Sequence, residues 1–448
     1  MILSTKVLAG MVNQVISDDK SSVMQITMSI YSATNPEFSI DNCLIDTLFV
    51  SKRFDKNTTN ERQLVFSIYP TKVVELVKHQ AELFASMIIE YIEPVNGEII
   101  YSEPPEVDTF RVFLHNPDEL TKRYESKLLH NEVGTTDKLS GVNANTETLI
   151  EVSAQLMTLD EYRINKAHYH GMLSDTTIES AIAFIASRLG VTKLNMITPD
   201  NKAIYKHINI PPEQGGFGQV FEYLQRQYGI YSKGMSYYVD NETLFIYPAY
   251  ELESPRLPNL TILKVGVGAY SGASTYHKLD GKNITIVTNS KITQQTLSGA
   301  SAENDGNSQL FLKADALVDG QIDHDTMQVK NTCVVASSRH DNSIQRTSAV
   351  ARYSSPAINL FHKVSKMAAG NCELISLGWN YSRMRLIEPG MPCSYIFDEK
   401  QSLMLKRGIV ELIEYHTVRS ARKGSNYSYS TIASIVIRSE IGQKNFAG

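Results

Sequence analysis

The chain has 448 residues, 42% hydrophobic and 20% charged, enough for two or three domains with cores of their own and unlike a disordered chain. A net charge of −5 excludes the overall basic footprint of a dedicated nucleic-acid binder. No charged leader precedes an apolar run at Met1–Met11, and no run of about 18 apolar residues occurs, so neither a secretory signal nor a membrane-crossing helix is expected.

Met24, Ile26, Met28 and Ile30 alternate with polar residues, the period of a half-buried strand. Leu44 to Val50 reads as a second strand. Leu64, Phe66 and Ile68 mark a third, stopped by Pro70. Val73, Val77, Phe84, Ile88 and Tyr91 fit one helical face, while Met87-Ile88-Ile89 fits a strand, so a helix passing into a strand is expected. Glu93 to Asp108 contains Pro and acids (Glu93, Glu98, Glu103, Glu106, Asp108) without Lys or Arg, and reads as a solvated loop. A strand at Phe110 to Leu114, a helix at Pro117 to Leu129 and a polar loop at Asn131 to Asn145 follow.

Thr176-Thr177-Ile178-Glu179 has the form of a capping box. It opens a helix with Ile178, Ala181, Ile182, Ile185 and Leu189 on one face, ended by Gly190. A second helix runs from about Gly218 to Tyr228 and stops at Gly229. Two strands, Tyr231 to Val239 and Thr243 to Pro248, then flank the turn Asp240-Asn241. Beyond Pro258 strands return at Leu260 to Val267 and Asn283 to Val287. An acidic loop or insertion is expected from Gly299 to Asp325. The last strands fall at Leu374 to Leu377, Ser394 to Phe397, Gly408 to Val418 and Ser430 to Arg438, with a basic hairpin tip at Arg419, Arg422 and Lys423.

The candidate chemistry is thin. In a strand, His168 and His170 would share one face, as two metal ligands must. They lack a third ligand at a characteristic spacing, and Asp323-His324-Asp325 is weaker. Gly215-Gly216-Phe217-Gly218 precedes a helix, where a phosphate loop would sit, but without the Gly-Lys-Ser/Thr ending. Gly268 to Ser274 spells out no nucleophile elbow. Cys43, Cys333, Cys372 and Cys393 lack paired spacing and read as reduced thiols of a chain folded in a cytosol. No catalytic, cofactor-binding or metal residues are assigned, no cofactor is implied, and no enzymatic activity is expected.

Three stretches carry a family resemblance. The capped helix ends in Ser187-Arg188-Leu189-Gly190-Val191. The second helix, Phe221-Glu222-Tyr223-Leu224-Gln225-Arg226-Gln227-Tyr228-Gly229, leads into the hairpin Met235 to Pro248. Arg385-Leu386-Ile387-Glu388-Pro389-Gly390-Met391-Pro392 precedes strands and Lys406-Arg407-Gly408-Ile409-Val410. Together they resemble the central baseplate hub proteins of bacteriophage tails and the related spike proteins of type VI secretion. The resemblance implies a β-rich α+β fold, with tail-tube-like barrels at 1–164 and 255–448 flanking an α+β domain at 165–254. It also implies a homotrimer in the virion baseplate that joins a sixfold tail tube protein to a threefold spike protein. Other baseplate proteins and a tape measure protein would be neighbours, and DNA would pass through the lumen. The acids Glu98, Glu103 and Asp108 could line that channel, and the basic tip could touch a neighbouring ring. Competing readings are another tube-fold tail component (a distal tail or fibre-adapter protein), a tail-associated peptidoglycan hydrolase using His168 and His170, and a carbohydrate-binding adhesin. The 23 Tyr residues favour the adhesin; the single Trp, Trp379, and the absence of tandem β repeats do not.

Overall fold

A computed structural model describes residues 5–18, 23–54, 56–95, 98–101, 105–120, 149–231, 234–240, 243–249, 259–266, 276–280, 283–289, 293–296, 321–323, 328–330, 372–399, 402–423 and 426–440. It is mostly β. Helix α1 (Thr5–Asp18), not expected from the sequence, precedes β1 (Val23–Ser32), β2 (Ser39–Ile40), β3 (Leu44–Arg53) and β4 (Glu61–Ile68). The expected helix-to-strand passage divides early, into α2 (Pro70–Lys78) and the long β5 (Leu83–Val95). The acidic stretch expected as a loop is largely strand: β5 turns into β6 (Glu98–Tyr101), and β7 (Glu106–Leu114) starts within it. Backbone pairing along β5 places these residues, although their charge reads as loop. A helical turn begins at residue 117, but the rest of that expected helix and the loop to 145 lie outside the described residues.

After β8 (Ile150–Thr158) and α3 (Leu159–Lys166) comes the central α+β unit. It comprises β9 (Gly171–Thr177), α4 (Ile178–Arg188), β10 (Lys193–Met196), β11 (Ile204–Ile210), α5 (Phe217–Gln227), β12 (Met235–Asp240) and β13 (Thr243–Pro248). Its helices and hairpin fall where the sequence places them. The apolar face of α4 (Ile178, Ala181, Ile182, Ile185) meets Val220, Phe221 and Leu224 of α5 and Leu244 and Ile246 of β13 in a core of its own. Gly190 and Gly229 end the helices at φ +86° and +78°, a left-handed conformation that glycine takes without a Cβ clash.

The remaining strands are β14 (Asn259–Lys264), β15 (His277–Asp280), β16 (Asn283–Thr288), β17 (Thr293–Thr296), the small hairpin β18 (Gln321–Asp323) and β19 (Gln328–Lys330), then β20 (Cys372–Asn380), β21 (Pro392–Glu399), β22 (Ser402–Lys423) and β23 (Asn426–Glu440). The long β22–β23 hairpin organises the molecule. Residues 412–418 of β22 pair with β3, and from there the pairings run through β4, β8, β7, β5 and β1 back to β23 at Met24↔Tyr429. The other half of the same hairpin belongs to a second set. Residues 402–409 of β22 pair with β21, which leads to β14 and β16, while residues 432–440 of β23 pair with β20, which leads to β17. The hairpin is thus common to a strand circuit that closes on itself and to a second set of strands, which among the described residues ends at β15 and β17.

The changeover is built locally. A bulge between Val410 and Leu412 marks where β22 leaves β21 for β3, and a bulge bends a strand and increases its twist. At Gly408 a Cβ would overlap the carbonyl oxygen of Arg438, so only glycine admits this close strand approach. One apolar core runs through both strand sets, from Met28, Ile45 and Phe66 to Ile262, Trp379 and Tyr395. Helix α1 packs Leu8, Val12 and Val15 on Leu263, Val287 and Ile396, so the first helix covers strands from the second half of the chain.

Candidate functional site: the junction of the strand circuit and the central unit

The strongest concentration of buried charge lies where the first circuit meets the α+β unit. On β3, Lys52 falls on the inward face with Leu48 and Val50. Its ammonium is 2.9 and 3.1 Å from the two Glu388 oxygens and 3.5 Å from Asp240 Oδ1. Burial alone would pull Lys52 down, but Glu388 and Asp240 outweigh it and hold its pKa above the usual lysine value. Burial pushes Glu388 up, against the attraction of Lys52.

On β4, Arg62 shares the inward face with Leu64, Phe66 and Ile68. Its Nη1 donates to Glu161 Oε2 at 2.6 Å, and its guanidinium lies over the Phe110 ring. Glu161, 1% exposed, also accepts from Asn60 N at 3.1 Å and Thr158 N at 3.0 Å, while Thr158 Oγ1 accepts from Glu161 N at 3.2 Å. Thr158 and Glu161 therefore form a capping box at the start of α3. Arg385 pairs with Asp108 and, at 3.3 Å, with Glu106. Lys52, Arg62, Asp108, Asp240 and Arg385 rim a cavity of about 40 Å³ whose apolar floor includes Val50, Met87, Ile89 and Leu156. That volume holds one or a few waters, too little for an organic substrate.

The connection from β3 to β4 clamps the central unit. Asn57 N donates to Tyr237 O and Val239 N to Asn57 O, at 3.0 and 3.2 Å, which extends the edge of β12. Ser236 Oγ donates to Phe54 O at 2.8 Å. Phe54 packs with Tyr238, Tyr247 and Ile409, and Tyr238 stacks on Phe245 with ring centroids 4.5 Å apart. Arg438 joins in by donating to Ala249 O and pairing with Glu411. This arrangement places cations against anions across three parts of the chain. It fixes their relative position and presents no nucleophile beside a base.

The sequence candidates resolve differently. His168 and His170 are exposed, with ring centroids 5.7 Å apart, and His168 Nε2 sits 2.8 Å from Pro212 O. Among the described residues no group of three or more His, Cys, Asp or Glu is placed to hold a metal ion. At Gly215 a Cβ would overlap Tyr169 O and the His168 ring, and Tyr169 N donates to Gly215 O at 2.9 Å. This glycine admits a neighbouring backbone segment. The expected capping box at Thr176–Glu179 is shifted: β9 continues through Thr177, whose Oγ1 accepts from Ser180 N at 3.2 Å. Asp108 pairs with Arg385. The Glu98 side chain and Glu103 lie outside the described residues. Arg419 reaches Asp46 at 3.0 Å. Cys43 and Cys393 are free and buried. Gly268 to Ser274, His324, Asp325, Cys333 and nearly all of the expected acidic insertion are outside the described residues.

Lys52 and Arg62 were not singled out from the sequence; Arg385 and Glu388 entered only within a stretch of family resemblance and Glu161 only as an acid upstream of His168, none of them as a buried ion-pair partner. For Lys52 and Arg62 a signal existed, because each is a cation on the apolar phase of an alternating strand, a position that demands a buried partner. The partners themselves come from segments far away in sequence and left no local trace.

Residues 126–266 match the family model described as Bacteriophage PBS1 gene 109 protein. No curated protein matches the chain in sequence. Among solved structures, the 43 kDa tail protein of prophage MuSo2 from Shewanella oneidensis is similar at 10% identity with a TM-score of 0.44, over 92% of this chain and 96% of that one. A tail protein from Neisseria meningitidis MC58 is similar at 12% identity and a TM-score of 0.42, over the same shares. An E. coli component of the type VI secretion system is similar at 7% identity and 0.39, over 93% of this chain and 78% of that one. The middle of the chain, residues 126–266, thus matches a bacteriophage protein family, and the whole chain is similar at low identity to proteins described as tail proteins.

Proposed function

We propose that this chain is a structural, non-enzymatic component of a phage virion, the central hub of the tail baseplate. The observation that carries the reading is the hairpin β22–β23, which serves a closed strand circuit and a second strand set in one chain. Read as two tube-type barrels beside the α+β unit, three copies would present six barrels to a sixfold tail tube protein and a threefold face to a spike protein. The charged junction supports the same reading, because it fixes the α+β unit on the first circuit as an adapter requires. The phage family match over residues 126–266 adds to it. Other baseplate proteins and a tape measure protein would border the assembly, and DNA would cross its lumen.

The test is the mass in solution of the purified chain, alone and with a spike protein, by light scattering, followed by density for the intact particle. A trimer, alone or bound to the spike, is expected. A persistent monomer with peptidoglycan hydrolysis that disappears in His168→Ala would replace the hub with the hydrolase.

A further inference from the structure

The outward face of the first circuit carries a row of side chains that the strand register fixes. Tyr31 of β1 pairs with Phe84 of β5, Phe84 with Arg111 of β7, and Arg111 with Met157 of β8. Their chain neighbours Ile30, Leu83, Ala85, Phe110, Val112 and Leu156 are buried in the core, so the row points away from it. All four side chains of the row are half-buried, and the Tyr31 and Phe84 rings stack with centroids 6.0 Å apart. Four strands spaced by about 4.8 Å give the row a length of about 14 Å.

Helix α3 borders this row. Its Leu159, Tyr162 and Lys166, spaced by three and four residues, share one helix face, and Leu159 is 48% exposed. The Arg111 guanidinium lies 4.2 Å from the Tyr162 ring centre and 5.5 Å from that of Phe113, and its Nη2 donates to Ala81 O at 2.7 Å. The Lys166 ammonium lies 4.4 Å from the same Tyr162 centre. Elsewhere Arg62, Arg163, Arg385 and Arg419 each reach a carboxylate, whereas among the described residues Arg111 and Lys166 reach none. Lys166 first, and Arg111 with it, hold the Tyr162 hydroxyl below the usual tyrosine value, as an uncompensated positive field does.

We propose that this face docks a partner protein through a short acidic segment, whose carboxylates meet Arg111 and Lys166 and whose apolar side chains cover Tyr31, Phe84 and Met157. Stacking fixes the guanidinium and leaves N–H groups for a carboxylate. Tyr, Phe, Met and Arg are the residues that protein interfaces concentrate. Nucleic acid fits worse, because two cations meet about two phosphates, against about 6–10 in a protein that grips DNA by its backbone. The face belongs to a single chain, whether or not copies of it form a trimer.

The test uses the full chain and fluorescence anisotropy with three labelled probes: the peptide Glu-Leu-Glu-Leu-Glu, its Gln-Leu-Gln-Leu-Gln counterpart, and single-stranded oligothymidylate. The glutamate peptide should bind saturably with a Kd below about 1 mM, more weakly at high salt, and at least about tenfold tighter than the glutamine peptide. Arg111→Met combined with Lys166→Met, at an unchanged melting temperature, should weaken it at least about tenfold. If the double variant melts earlier, Lys166→Met alone, at an exposed position, should weaken it about threefold. No saturable binding, equal binding of the glutamine peptide, or binding that these variants leave unchanged overturns the proposal. Oligothymidylate bound as tightly, with the same loss in the double variant, replaces the protein partner with a nucleic acid. Self-association in sedimentation velocity that the double variant abolishes replaces it with a second copy of this chain.

Discussion

Glu161→Gln removes the charge on which three segments converge: the β3–β4 connection through Asn60 N, β4 through Arg62, and the start of α3 through Thr158. The Arg62 and Glu161 side chains are 9% and 2% exposed. Loss of the carboxylate therefore leaves a guanidinium in a dry site facing an amide. Removing one member of such a pair costs about 3–5 kcal/mol. The glutamine retains one oxygen for either Asn60 N or Thr158 N, and the amide it cannot serve adds about 1 kcal/mol. Thr158→Ala, which removes only the cap, should cost about 1 kcal/mol. Arg62→Met combined with Glu161→Met removes both charges and should cost less than Glu161→Gln alone. Urea titration followed by circular dichroism gives the stability, and amide exchange at Asn60 and Thr158 reports whether the junction opens before the rest. If Glu161→Gln costs less than about 1 kcal/mol and leaves the Asn60 amide as protected as before, the junction is not held by this network.

Burial, and secondarily Arg383, lowers the pKa of His277 to about 4. Below its ordinary value of 6.5 the unfolded chain takes up a proton that the folded chain refuses. Stability should then fall as pH drops from about 6.5 to 4, by about 3 kcal/mol in all; a pH series on wild type and His277→Asn should show the slope only in wild type. Gly215→Ala forces a Cβ into Tyr169 O and the His168 ring and should destabilise by about 2 kcal/mol or more, whereas a melting temperature within a degree or so of wild type would refute the packing role. Burial pushes the Cys43 thiol up to about 12. In a chain with Cys333→Ser and Cys372→Ser, iodoacetamide should therefore label Cys43 only after unfolding; rapid labelling of the native protein would contradict its placement.

Where a signal is local, the sequence reads true. Alternation in β1, β3 and β4 marks the buried face because side chains in a strand repeat every two residues. The stripe of α4 and the glycines after both central helices are equally local. The capping box is instructive because the motif at Thr176–Glu179 has the right letters, but β9 holds Thr177 extended and shifts the cap by one residue. The box that forms, at Thr158–Glu161, is completed by Arg62 and Asn60 from a distant strand and its connection. The acidic 93–108 stretch misled because charge predicts solvent, while pairing to β5 and to Arg385 fixes much of it.

The sequence by itself determined strands β1, β3, β4, β12 to β14, β16 and β20 to β23, the two central helices, and the inward face where the residues alternate or form a stripe. Tertiary structure alone decided that β22 and β23 serve both strand sets, that α1 covers strands from the second half of the chain, and that Lys52, Glu388 and Asp240 meet. Periodicity assigns a residue to a face, because it follows from backbone geometry within a few residues. Strand partnership and ion pairing depend on how distant segments close around a shared core, and no local pattern carries that information.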